Sequence, residues 1–282
     1  MSHAQAGTAR DTSPTTVHRR ESIGLWALLV LSYAAAFLPA DVPGLVALVA
    51  GWIPVAFAFW HFARWAGAGT AALSFLVISV VSFTAEALGV ATGLVFGDYF
   101  YPDGPLGPLL FGVPPLILLQ YFAMGYASLF VARAIAGGVR TALGGALPVL
   151  AVSALAAFCL TALDLASDPW QSTHLGEWVW RDGGSYFGVP IHNFVGWWVE
   201  ALIFFVLVNL LLARTSARRR IERPRTALFD VQAVLLYGTF PFAIIVRPLV
   251  HGPSELADAL AGVSLFAVVP LLVAALVALH RR

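Results

Sequence analysis

The chain has 282 residues, 60% of them hydrophobic and only 11% charged, with a mean hydropathy of +0.84. Soluble domains carry roughly a quarter of their residues as Asp, Glu, Lys and Arg, so the composition excludes one and predicts a polytopic integral membrane protein. The net charge is +1 and every basic residue is an arginine, which leaves no strong field of one sign to attract nucleic acid.

Residues 1–22 are polar and predict a disordered N-terminal tail. The apolar run that begins at Ile23 has the look of a secretory signal, but the topology requires it as an uncleaved first helix. Apolar runs at 23–39, 44–61, 70–93, 109–132, 142–163, 190–213, 228–247 and 257–280 each approach the length of about 20 residues that a bilayer crossing needs. The expected fold is therefore all-α. It is a membrane helical bundle of about eight transmembrane helices, one domain over 23–282, with its motif-bearing core at 80–213. On an eight-helix path all arginines but Arg181 and Arg247 fall on one side. The positive-inside rule then places both termini in the cytoplasm and the chain in the cell membrane as a multi-pass protein. The basic segment 214–225 is a cytoplasmic anchor beside anionic lipid.

Two loops on the opposite side carry nearly the same message. Gly97-Asp98-Tyr99-Phe100-Tyr101-Pro102-Asp103-Gly104 precedes Phe111-Gly112-Val113-Pro114. Gly176-Glu177-Trp178-Val179-Trp180-Arg181-Asp182-Gly183 precedes Phe187-Gly188-Val189-Pro190. The offsets of 79 (97 to 176) and 76 (111 to 187) predict a parallel internal repeat of helix hairpins. Pro114 and Pro190 suit the first turn of the returning helices.

Acids inside apolar helices are costly and mark function, against the plainer reading of a hydrogen bond between helices. Glu86 lies in the third helix, with Gly89 and Gly93 on its face to admit a backbone or a flat ligand. Asp164 and Asp168 stand one turn apart at the outer end of the fifth helix, which Pro169 is expected to stop. Two neighbouring carboxyls can divide into an acid and a carboxylate. Asn193, Trp197 and Glu200 form one stripe on the sixth helix. At its depth Glu200 must face the bundle interior, pairing with Arg247 or sharing a proton with Glu86.

Tyr99, Tyr101, Trp178, Trp180, Trp197 and Trp198 crowd the outer level. An interfacial belt would account for aromatics there, but the alternate spacing within both loops suits a site whose ring faces meet a cation or a polyene. His61, His174, His192 and His251 are scattered and form no metal-binding pair, and only His192, beside Asn193, adjoins the acids. Cys159, the single cysteine, is a small packed hydrophobe. No Walker loop, GxGxxG or GxSxG occurs, so no nucleotide, flavin or metal cofactor is expected.

Together these motifs resemble a family of membrane carotenoid-biosynthesis proteins that includes carotenoid 1,2-hydratases and bisanhydrobacterioruberin hydratases. The resemblance rests on Glu86-Ala-Leu-Gly89-Val-Ala-Thr92-Gly93-Leu-Val-Phe96-Gly97-Asp-Tyr99-Phe-Tyr101, on Asp164 with Asp168-Pro169, on Trp178-Val-Trp180, and on Tyr186 through Trp197. It covers roughly residues 80–200. It implies water addition to the terminal C=C of an acyclic carotenoid end group, of C40 or C50 length as in the bacterioruberin series, giving a tertiary alcohol. Glu86 or Asp164 would donate the proton, while the other carboxyl, Asp168 or Asn193 would place water. Tyr99, Tyr101, Trp178, Trp180 and Trp197 would cradle the tertiary cation. No cofactor is implied. The partners implied are the lipophilic carotenoid, membrane lipid and other membrane enzymes of the pathway. A cyclase would quench the same cation with an internal alkene. A proton-coupled transporter would also use intramembrane Glu86 and Glu200, and a carotenoid-binding protein is a third alternative.

Overall fold

The computed structural model describes residues 14–39, 42, 44–104, 106–139, 143–218 and 227–281. Residues 1–13 of the expected tail and 219–225 of the basic segment lie outside the described residues. The rest of the expected tail differs from a disordered one, because helix α1 already begins at Pro14 and runs to Ala35.

Among the described residues the regular structure is all-helical apart from one two-stranded ribbon. After α1 come α2 (Gly44–Ala66) and α3 (Ala68–Thr92), strand β1 (Tyr99–Phe100), α4 (Ile117–Ile135) and α5 (Ala146–Asp168). Strand β2 (Val179–Trp180), α6 (Ile191–Arg218) and α7 (Ala227–His251) follow. Then α8 (Glu255–Val263) and α9 (Val269–His280) are joined by a π-helical turn, Ser264–Val268, into one helix. Among the described residues six stretches are long and apolar enough to cross a bilayer: Ala68–Thr92, Ile117–Ile135, Ala146–His174, Ile191–Thr215, Ala227–His251 and Glu255–His280. Eight were expected; the other two, 23–39 and 44–61, fall on α1, whose described apolar part Ser22–Ala35 is shorter, and on α2.

Helix α4 is the central post, packed against α2, α3, α5, α7 and α9. Small residues let it sit there: Ala123, Ala127, Ala132 and Ala134 are fully buried among Phe57, Phe62, Phe122 and Phe130. Apolar side chains also cover the outside, as with Leu76, Phe158 and Phe266, each more than half exposed. In water this would be an aggregation surface, whereas in a bilayer it is the face that hydrocarbon wets. Some polar groups inside the bundle pair with one another. Arg133 donates to Asn209 Oδ1 at 2.6 Å, and Asn209 donates to Ser153 at 3.0 Å. His61 lies between the Tyr126 hydroxyl (2.5 Å) and the Phe229 carbonyl (2.8 Å), a structural role far from the outer loops.

Pro169 does not stop its helix. The chain continues through a π-helical turn, Pro169–His174, in which the Leu175 amide donates to the Trp170 carbonyl at 2.9 Å. The wider turn absorbs the missing proline donor, and such turns recur at functional sites.

Candidate active site

The two outer loops meet. Strands β1 and β2 pair antiparallel with Phe100 opposite Val179 and Tyr99 opposite Trp180. Phe100 and Val179 hold the same place in the two motifs, so the loops face each other about that pair. Each Phe-Gly-Val-Pro forms the same tight turn. Leu110 and Val113 exchange backbone hydrogen bonds, as do Tyr186 and Val189. Phe111 and Phe187 have φ of 51° and 50°, and the glycines after them 77° and 88°. A type I′ turn needs both central residues at positive φ, which glycine allows and an aromatic rarely adopts. An ion pair at 3.1 Å between Arg181 and Asp98 staples the loops from outside, half exposed on both sides.

Beneath this ribbon lies a cavity of about 120 Å³ between α3, α4, α5 and α6. Four carboxyls line it, Glu86, Asp164, Asp168 and Glu177, the first three nearly inaccessible to solvent. Each of these three is held by a different set of donors. Glu86 Oε2 accepts from the Tyr99 hydroxyl and, at 3.0 Å, from Tyr101; Oε1 accepts from Tyr121 at 2.6 Å. Asp168 Oδ1 accepts from the indole N–H groups of Trp178 (3.2 Å) and Trp180 (3.4 Å). The Asn193 amide Nδ2 donates to Asp164 Oδ2 at 3.0 Å and to Asp168 Oδ2 at 2.8 Å. The aromatic pair of the first loop thus serves Glu86, and that of the second serves Asp168.

Burial, followed by the Glu86 charge, pushes the Tyr99 and Tyr101 phenols well above their usual range, which keeps them protonated as donors. Glu177, also at the cavity wall, has its carboxyl raised by burial, with Arg247 opposing the shift. Tyr121 stacks on Trp197 with ring centroids 4.7 Å apart and planes at 3°. These two also hold equivalent places, each seven residues after its Pro (Pro114, Pro190). Gln120, Ser167 and Gln171 add neutral polar groups to the lining, with Leu106, Ile117 and Met124 as its apolar part.

Of the residues singled out from sequence, Glu86, Asp164, Asp168, Asn193, Tyr99, Tyr101, Trp178, Trp180 and Trp197 all line this cavity. The others lie elsewhere. Gly89 lies under the Tyr99 ring, where a Cβ would come 3.1 Å from the hydroxyl. Gly93 caps α3 in a left-handed conformation against Asp98. Trp198 packs on Phe158, away from the acids, and His192 is exposed outside the cavity. Glu200 does not pair with Arg247, whose guanidinium sits 4.3 Å over the Trp170 ring. Glu200 is buried in the bundle as its depth requires, opposite Ser82 of α3, and lines a second groove rather than the carboxyl cavity. Tyr121 and Gln120 were not singled out, because one tyrosine or glutamine in an apolar helix has no local signature. The repeat would have found Tyr121 as the counterpart of Trp197. Among the described residues no group of three His, Cys, Asp or Glu could hold a metal ion.

An apolar helical bundle with acids, phenols and indoles converging on an interior cavity is the build of a membrane protein. The chain belongs to the carotenoid biosynthesis protein family, whose model matches residues 43–270. It is 30% identical over 169 residues to a bisanhydrobacterioruberin hydratase of Haloarcula japonica, an overlap of 60% of this chain and 55% of that one. The chain therefore spans about half the length of the curated relative it matches. No solved structure matches it.

Proposed function

We propose that the protein is a cofactor-independent carotenoid hydratase, adding water to the terminal C=C of an acyclic end group to give a tertiary alcohol. The observation that carries this reading is the convergence of three unequally held carboxyls with aromatic faces on one cavity. The family and the name borne by the Haloarcula relative point the same way.

Hydrogen bonding to the charged form of a carboxyl favours it. Glu86 accepts from three phenols, and Asp168 from two indoles and an amide. Among the described residues Asp164 accepts from Asn193 alone, and two carboxyls sharing one amide are poorly placed to ionise together. Asp164 is therefore the group suited to carry the proton. It delivers that proton to the less substituted alkene carbon, and the π electrons form the new C–H bond. The resulting tertiary cation lies among the faces of Tyr101, Trp178, Trp180 and Trp197, each worth up to about 2 kcal/mol when desolvated. Water attacks the cation, Asp168 takes its proton, and transfer between the two aspartates restores Asp164. The cavity suits this chemistry in size, holding about four waters at about 30 Å³ each, or a branched hydrocarbon end with one water. Gln120, Ser167 and Gln171 favour capture by water over cyclisation, which would need a drier wall.

We also propose that the two hairpins form a parallel repeat. Its axis passes between Phe100 and Val179 and between Tyr121 and Trp197, and it gives one shared cleft rather than two sites. The termini would lie in the cytoplasm and the cleft toward the outside.

Product mass tests the activity. Membranes containing the chain and an acyclic C40 or C50 carotenoid, in isotopically heavy water, should yield product heavier by one or two waters with label in the hydroxyl. An unchanged mass with a shorter chromophore would mean cyclisation and sink the hydratase reading.

A further inference from the structure

Helices α3 and α6 enclose a second concavity, of about 530 Å³, on their outer side. Val95 and Gly196 line it, while their chain neighbours Phe96 and Trp197 line the carboxyl cavity. One layer of packed side chains therefore separates the two spaces. The groove walls are apolar and open. Val80, Leu88, Val195, Val199 and Ile203 are each 46–57% exposed, facing what in a bilayer is hydrocarbon.

The exception is Glu200. It lines the same groove, is 3% exposed, and neither of its carboxyl oxygens has a hydrogen-bond partner among the described residues. The Ser82 hydroxyl faces it from α3. Lipid acyl chains offer no donor or acceptor to a group at that depth. A ligand that fits must supply a long apolar body and one polar group that meets a carboxyl. A hydroxyl does so in either protonation state, because it both donates and accepts.

We propose that the α3–α6 groove binds a hydroxylated isoprenoid chain, with its tertiary hydroxyl seated on Glu200. The inference rests on the hydratase reading, which produces such an alcohol one wall away. The groove would then receive the hydrated end as it leaves the cavity for the lipid.

The test is direct binding to the full chain in lipid nanodiscs. The probes are an acyclic polyene with a terminal tertiary alcohol and the hydrocarbon of equal length, and the readout is quenching of tryptophan fluorescence. Wild type should prefer the alcohol by about tenfold, the scale of one hydrogen bond to a charged or strongly polar group. Glu200→Leu should erase the preference, leaving hydrocarbon affinity unchanged. Thr84→Trp, at an exposed position on the groove wall, should weaken both ligands. Should Glu200→Leu fail to fold, Glu200→Gln, which keeps a pairing group, should retain the preference, and Thr84→Trp then carries the test. An alcohol preference that survives Glu200→Leu, or affinities for both ligands that Thr84→Trp leaves unchanged, overturns the proposal. Product mass, measured alongside, judges the hydratase reading separately. Hydrated product with groove-insensitive binding sinks the groove alone, and Glu200-dependent alcohol binding without hydrated product supports the groove and sinks that reading.

Discussion

Asn193→Leu removes the group that holds two carboxyls together while nearly preserving side-chain volume. The amide nitrogen, 1% exposed with its residue, donates at 3.0 Å to Asp164 and at 2.8 Å to Asp168. A buried acceptor that loses its donor costs about 1–3 kcal/mol. Asp168 keeps the two indole N–H groups on its other oxygen, so its loss falls at the low end. Asp164 has no second donor among the described residues, so its loss falls higher. The sum is about 2–4 kcal/mol of stability. Function should suffer more, because a displacement on the order of 1 Å between proton donor and substrate can cost about a hundredfold in rate. The assay compares hydrated product per unit of folded protein, with unfolding followed in detergent. Turnover within about twofold of wild type, with stability unchanged, would refute the role given to the Asn193 bridge.

Glu86→Gln should lower product by removing the charge that fixes the Tyr99 and Tyr101 rings, while costing only about 1–3 kcal/mol of stability, since two of the three phenols can still find an acceptor; normal turnover would deny Glu86 that positioning role. Gly196→Ala should destabilise by about 1–3 kcal/mol through overpacking, because the new Cβ would strike the Val95 carbonyl oxygen and come 2.8 Å from the Phe96 ring. It should also weaken substrate binding by shifting the Phe96–Trp197 wall, and binding unchanged in a titration would contradict that wall. Trp180→Phe keeps a ring face but loses the N–H to Asp168, so its product yield should lie between wild type and Trp180→Leu; equal yields for the two variants would deny the face a role. Cysteines at Gly104 and Thr215 should be labelled from opposite sides of sealed vesicles, and labelling from the same side would overturn the orientation.

Most of the site could be read from the sequence because the two loops repeat each other. The shared spacing marked Tyr99, Tyr101, Trp178 and Trp180, and the acids stood out against helices that otherwise carry no charge. What escaped was rotational. Glu200 lies on the Asn193–Trp197 stripe and is buried as its depth requires, but seven residues fall short of two full turns, and it meets α3 at Ser82 beside a second groove rather than the cavity lining. Its failure to meet Arg247 has the same origin, since partner choice depends on helix orientations that no local pattern encodes. Pro169 misleads as a helix stop because a membrane helix can widen to a π turn rather than expose backbone to lipid.

The donors around the acids explain why this site uses tyrosine and tryptophan rather than serine and asparagine. A phenol O–H or indole N–H lies in the plane of its ring, and the electron-rich face stands at right angles to that plane. Binding the edge to a carboxyl therefore fixes where the face looks. Trp178 and Trp180 are tied by their edges to Asp168, and Tyr99 and Tyr101 to Glu86, while all four line the cavity. The carboxyl that would take a proton from water thus also orients the surface that would stabilise the cation before water arrives. A serine could satisfy the same oxygen and would leave the cation with nothing but hydrocarbon around it. Such coupling needs rigid backing, which the β1–β2 pairing supplies by locking Phe100 to Val179 above the cavity, and the Tyr121–Trp197 stack supplies it within the bundle.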